Sequence, residues 1–296
     1  MPPVSRNNVV AGALWMLAQT VSFAGLVAVV RWLSPTFSAY EIVFFRCIIG
    51  IALQLPWLMR TGVREMTTRN LRLVLLRGLF GFAGMATWFA ALGVMALSDA
   101  VALQFTLPLF IIVGAALFLH ERVDARRAVA TLVGFAGALV IIRPGFVDFS
   151  PAALLVLLSA VFYAGTHLTT KRLAGTVSGP MLAFQFHAIS LPLALGPAIP
   201  AWVWPSAADL PWLLALGAFG TLAHVFMGRA YALADISIIA PIDFLKLVGA
   251  AVFGWFLFRE ASDVWTWVGA AIIFASTTYI TRLEARRERA RAAARV

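Results

Sequence analysis

Residues 91–122 read ALGVMALSDAVALQFTLPLFIIVGAALFLHER, and residues 230–260, which begin 139 positions further on, read AYALADISIIAPIDFLKLVGAAVFGWFLFRE. In the first stretch residues 100–119 carry no charge, which matches the roughly 20 apolar residues a helix needs to cross a hydrocarbon core of about 30 Å. Working outward, ten charge-poor runs emerge, at 9–30, 38–59, 75–97, 101–119, 128–142, 151–170, 180–200, 210–232, 236–258 and 264–281. Turn or charge signals separate them: Ser34-Pro35, residues 60–72, residues 120–127, Arg143-Pro144-Gly145, residues 175–179 and Trp204-Pro205. The first run is longer than the apolar core of a signal peptide and has no small-residue cleavage pattern before Arg31, so it is expected to stay as a helix.

Composition agrees. Of 296 residues 62% are hydrophobic and only 12% charged, against about 45–50% apolar and 25% charged in soluble domains. A soluble domain is excluded, and no length remains for one beside ten spans. The lone Cys47 leaves no disulfide, cysteine metal site or redox pair. The net charge of +10 would fit a nucleic-acid binder, but its placement argues otherwise, because the basic residues sit between the runs. With the N-terminus inside, 17 of the 23 Lys and Arg fall in inner segments and only Arg31, Arg143 and Arg259 in outer loops. Both termini are therefore expected in the cytoplasm of a bacterium, with the protein in its inner membrane and no nucleic acid bound. Residues 284–296 form a basic tail suited to anionic lipid.

The offset of 139 is an internal repeat. It pairs residues 71–143 with 210–282 without a gap, 16 of the 73 pairs being identical, among them Gly78 with Gly217, Gly81 with Gly220, Glu121 with Glu260 and Asp124 with Asp263. Five helices per copy is an odd number, so the second copy must enter the membrane upside down. The fold expected is an all-α integral membrane protein of ten transmembrane helices in two inverted five-helix repeats, residues 1–146 and 147–283. Such symmetry lets two related halves exchange conformations, the device of secondary transporters. Two complete halves in one chain make a monomer sufficient.

The turn and helix at 91–122, with Pro108 in mid-helix and His120-Glu121-Arg122 at the end, resemble the ten-helix EamA-type branch of the drug/metabolite transporter superfamily. The likeness extends over nearly the whole chain. Within that branch the chain is similar to the YddG-type bacterial exporters of aromatic and other amino acids. The second copy keeps Glu260 but has Leu247 in place of the proline. The resemblance implies a transporter that moves small metabolites, amino acids first among them, out of the cytoplasm, with no cofactor.

Ionisable groups inside spans are functional candidates by default. Lys246 falls roughly 15 Å from the inner start of its run, near the midplane, with Asp243 one turn away on the same face. Asp243 aligns with Gln104 in the repeat, so both halves offer a polar group at matching depth. Lys246 would receive a carboxylate while Asp243 and Gln104 meet an ammonium; an internal ion pair is the competing reading. Pro108 and Pro241 each remove a backbone hydrogen bond, freeing the carbonyls of Gln104 and Ser237. Trp15, Trp88 and Tyr163 carry rings at or near mid-depth that can pack or wall a substrate side chain, with Gln19 as a nearby polar contact, whereas six other tryptophans flank spans. His187 and His224 fall at mid-depth, and Arg46, aligned with Gln185, lies about 8–12 Å inside its span. Each can serve the substrate or the packing. Gly78, Gly81 and Gly84 read as a packing stripe and Arg77 as structural.

Two other functions compete. An intramembrane enzyme would use Asp243, His187 and His224 as an acid–base set, but there is no Gly-x-Ser-Gly, no aspartate pair and no metal motif. Efflux of hydrophobic cationic drugs is the alternative within transport, yet run 9–30 has none of the membrane carboxylate that small multidrug relatives carry. No phosphate-binding loop is present, so nothing points to ATP.

Overall fold

The computed structural model describes residues 6–61, 70–118, 125–143, 150–173, 177, 179–233 and 242–293. Among these residues the regular elements are all helices: α1 (Arg6–Leu33), α2 (Ala39–Thr61), α3 (Leu71–Leu92), α4 (Leu97–Gln104), α5 (Leu107–Phe118), α6 (Ala125–Ile142), α7 (Pro151–Leu173), α8 (Gly179–Ala198), α9 (Leu210–Leu233), α10 (Leu245–Phe258) and α11 (Val264–Ala293). Nine described stretches are long and apolar enough to span a bilayer, α4 and α5 counting as one, and the shorter α10 is the tenth apolar segment. Their outer faces carry Leu132, Leu214 and Phe256, each exposed by 60% or more, as surfaces solvated by lipid require.

Helix ends are set locally. Ser38 and Glu41 form a capping box at the start of α2, the Ser38 N–H donating to Glu41 Oε2 at 2.9 Å and the Glu41 N–H to Ser38 Oγ at 3.3 Å. Arg259 closes α10 in the left-handed region at φ 58°, where its N–H reaches Trp255 O and the Glu260 N–H reaches Gly254 O. The run at 101–119 is not one kinked helix. It breaks at Phe105-Thr106 into α4 and α5, and the Thr106 hydroxyl donates to Leu103 O at 2.7 Å, taking up one carbonyl that a continuous helix would have used. A turn at Phe244, the repeat partner of Phe105, likewise precedes α10. Ser237 and Pro241 lie outside the described residues, as do Arg64, Arg69, Asp124, Pro144, Gly145, Arg295 and the His120-Glu121-Arg122 end of the first copy.

Packing follows the repeat. α1 lies against α9 and, symmetrically, α7 against α3; α2 against α9 and α8 against α3; α1 against α10 and α7 against α4 and α5. α2 with α8, α4 with α10 and α6 with α11 pair across the axis itself. This is the contact pattern of two inverted halves.

The bundle is packed solid towards the end where α1 finishes. Val27, Val30, Leu33, Phe37, Leu92, Leu97, Ala100 and Leu213 are buried there in one cluster. Polar ties join the halves at the same end. Arg31 pairs with Glu260 at 3.0 Å and donates to Leu92 O and Gly93 O, and Glu260 Oε2 accepts from the Leu97 N–H at 2.9 Å. Arg143 pairs with Asp263, and the Thr266 hydroxyl donates to Asp99 at 2.5 Å. The Val203 N–H donates to Glu41 Oε1 at 2.7 Å. These ties mark the Arg31 end of the bundle.

Candidate substrate cavity

Beyond that plug the interior opens into a cavity of about 330 Å³ between the two halves. α1 contributes Gln19 and Phe23, α2 Arg46, and α3 Met85, Trp88 and Phe89. The broken span supplies Gln104, Phe105 and Pro108; α7 adds Tyr163 and His167, α8 Phe186, and α9 His224 and Met227; Asp243 and Lys246 flank the start of α10. Eight of the nine residues singled out from sequence thus line one cavity. The ninth, His187, does not. It is turned between α2 and α8, where its Nδ1 lies 3.0 Å from Gln54 Nε2 and 2.9 Å from Ala183 O.

Both helix interruptions face this space. Phe105 and Phe244 stack across the pseudo-two-fold axis with centroids 5.3 Å apart, and Phe244 rests on Phe274 at 4.5 Å. Interrupted backbone is tolerated in a membrane where it lines a cavity, and paired interruptions in inverted repeats mark a central binding site. Lys246 Nζ sits 2.5 Å from Asp243 Oδ1 and 4.9 Å from the centre of the Phe23 ring, so its charge is already met by a carboxylate and a π face. The Gln104 side-chain oxygen accepts from Ser159 at 2.9 Å. Gln19, 3% exposed, has an oxygen with no partner.

Small residues make room for the lining. A Cβ on Gly84 would stand 3.2 Å from the Tyr163 ring, one on Gly81 2.5 Å from Phe186, and one on Gly220 2.8 Å from Arg46 Nε. Two glycines of the stripe read as packing, together with Gly220, the repeat partner of Gly81, therefore also seat three cavity side chains. Sequence reasoning missed Phe23, Phe89, Phe105 and Phe186, because phenylalanine in an apolar span carries no mark of which way it faces. Trp15, by contrast, packs on Phe226 at 5.3 Å beneath Arg229 at 4.6 Å and is not part of the lining. Arg77 donates to Thr170 at 2.8 Å and to Leu182 O at 2.9 Å, bracing α3 against α7 and α8. Among the described residues no group of three His, Cys, Asp or Glu could hold a metal ion.

Outside the spans two carboxyls are held below their ordinary range. The Asp209 carboxylate accepts from the hydroxyl and N–H of Ser206, and Asp263 accepts from the Trp265 N–H and from Arg143.

The profile of the EamA-like transporter family matches twice, at residues 10–143 and 150–282. A riboflavin transporter of Rhizobium johnstonii is 35% identical over 97% of this chain and 96% of its own. An S-adenosylmethionine uptake transporter of Rickettsia felis is 30% identical over 91% of this chain and 92% of its own. A pseudopaline exporter of Pseudomonas aeruginosa is 31% identical over 92% of this chain and 96% of its own. A solved crystal structure at 20% identity superposes with a TM-score of 0.64 over 96% of this chain and all of that one, a likeness of fold.

Proposed function

We propose that this chain, which belongs to the EamA-like transporter family, carries a small organic metabolite with a flat ring and a polar, oxygen-bearing end across a bacterial inner membrane. It is a multi-pass membrane transporter and not an enzyme. The observation that carries the proposal is the cavity between the repeats, lined by Phe23, Trp88, Phe105, Tyr163 and Phe186 and of a volume that suits one ligand of drug-like size. Riboflavin is the first member of this class. Its tricyclic ring fits an aromatic-walled slot, and relatives named riboflavin transporters, 35% and 33% identical, support it.

The second reading is an aromatic amino acid, favoured by Lys246 and Asp243, whose opposite charges match a zwitterion. For an amino acid the pair must open, Lys246 turning to the carboxylate and Asp243 with Gln104 to the ammonium. A hydrophobic cation suits the cavity less well, since Arg46 and Lys246 face only one carboxylate, Asp243, among the lining residues.

Alternating access supplies the mechanism. The arginine count favours cytoplasmic termini; on that orientation the Arg31 end would face outward, and the arrangement would be closed to the outside. Exchange of conformation between the halves would close the inner end and release the Arg31 end. Transport then follows the substrate's own gradient, outward for amino acids concentrated within the cell and inward for a scavenged vitamin. No titrating group is needed, and one chain is sufficient.

The test is the purified protein in liposomes loaded with riboflavin and all twenty amino acids, with efflux followed by mass spectrometry against protein-free vesicles. Selective movement of riboflavin, or of phenylalanine, tyrosine and tryptophan, is expected. Movement of neither refutes the proposal.

A further inference from the structure

Arg46 is the one lining side chain whose charge no group of the protein answers among the described residues. The ion pairs seen there are Arg31 with Glu260, Arg143 with Asp263 and Lys246 with Asp243. Arg46 is only 5% exposed, yet its Nη1 meets nothing better than the thioether of Met85 at 3.0 Å and its Nε has no partner. A thioether is a weak acceptor, and a guanidinium cannot shed its proton to relieve the cost of burial. Gln185, its repeat partner on the facing helix, also holds an unpartnered buried oxygen. The bareness of Gly220 lets the guanidinium lie directly against the α9 backbone, where a Cβ would stand 2.8 Å from Nε. A cation left buried without a counter-charge is strongly unfavourable, and it persists where a ligand supplies the missing group.

We infer that Arg46 anchors an anionic or carbonyl oxygen of the substrate, so that the cavity selects ring compounds bearing a carboxylate or an imide edge and rejects the same ring bearing only an amine. Lys246, already neutralised by Asp243, is not the primary anchor. A forked donor suits a carboxylate or a carbonyl pair better than an ammonium does, since it presents parallel N–H groups. The inference rests on reading this cavity as the substrate site.

The test measures equilibrium binding to the purified full-length protein at neutral pH. Indole-3-acetate, indole-3-acetamide and tryptamine share one ring and carry a negative, a neutral and a positive end, and riboflavin alongside them reports the imide edge. Indole-3-acetate is expected to bind about ten- to a hundredfold more tightly than tryptamine, the range of hydrogen bonds to a charged group. Arg46→Met is expected to bring the two within about twofold, and Arg46→Lys, which keeps the charge but loses the fork, to retain part of the preference. If Arg46→Met fails to fold, the wild-type series and Arg46→Lys decide. Equal binding of the three indoles by the wild type, no binding, or an unchanged preference in Arg46→Met overturns the inference and leaves Arg46 a helix–helix contact. Because binding is read without transport, preference for the acetate with no movement of riboflavin or aromatic amino acids refutes the transport class while the anchor stands. Transport of either with no charge preference does the reverse.

Discussion

Glu260 ties the Arg31 end through an ion pair with Arg31 at 3.0 Å and one charge-assisted hydrogen bond from the Leu97 N–H at 2.9 Å. Glu260→Gln keeps the shape and removes the charge. Hydrogen bonds to charged groups contribute about 1.5–3 kcal/mol against about 0.5–1.5 for neutral ones, so the Leu97 bond loses about 1–1.5 kcal/mol, and the part-exposed ion pair adds about 0–1 kcal/mol. With the side chains 24% and 15% exposed and the pair screened, the sum is about 1–2 kcal/mol. The closed arrangement should then lose roughly 5- to 30-fold in population against the arrangement open at this end. Ser98, 3% exposed beside Leu97, is a place to read it. In a Cys47→Ala background, Ser98→Cys should be labelled slowly by a membrane-impermeant maleimide applied from the Arg31 side, and 5- to 30-fold faster once Glu260→Gln is added, to the extent that labelling tracks the open population. An unchanged labelling rate, with both proteins folded, would show that the apolar plug and not the ion pair closes this end.

Three further outcomes follow from the same geometry. Gly220→Val drives a side chain into Arg46 and should lower thermal stability in detergent by about 1–3 kcal/mol, as overpacking does, and Gly84→Ala, at 3.2 Å from Tyr163, by less. Lys246→Met leaves Asp243 unpaired, so the double variant with Asp243→Asn should melt at a higher temperature than the single one; transport unchanged in Lys246→Met at equal expression would remove Lys246 from the site. The Asp263 carboxyl lies below its ordinary range through the Trp265 N–H and Arg143. A depressed carboxylate stabilises the fold above the pH at which it titrates when unfolded, and that contribution fades as pH falls through its folded value. Stability should therefore drop on acidification below the ordinary carboxylate range, and Asp263→Asn should flatten that drop in a melting series.

The spans and their duplication were legible because lipid imposes composition: a segment that must satisfy its own backbone in hydrocarbon has few alternatives to a long apolar helix. The paired charge of Lys246 and Asp243 and the polar Gln104 and Gln19 were legible for the same reason, since a polar group in such a helix has to find a partner or a cavity. The aromatic walls were not. The chain has 23 phenylalanines, and lipid, plug and cavity accept that ring alike, so nothing local distinguishes Phe186 from Phe256. The span holding Pro108 reads as a kink from sequence; in the structure it breaks at Phe105-Thr106, where Pro108 offers no N–H to the Gln104 carbonyl and the Thr106 hydroxyl turns back onto Leu103 O. The glycines were visible as a stripe, but that Gly81, Gly84 and Gly220 face Phe186, Tyr163 and Arg46 depends on helix pairs distant in sequence.

The break at Phe105-Thr106 divides one span between two neighbours. α4 leans on α10 near the plug, whereas α5 leans on α7, farther from it. A stiff rod would oblige both ends to swing together and would transmit any shift at the plug directly to the far side. Under the alternating access proposed above, a joint at mid-depth would let one limb stay seated while the other travels, so the two thresholds need never stand ajar together. Phe105, at that joint and in the cavity lining, touches Phe244 of the other half, so a guest pressing on Phe105 would press on both halves at once.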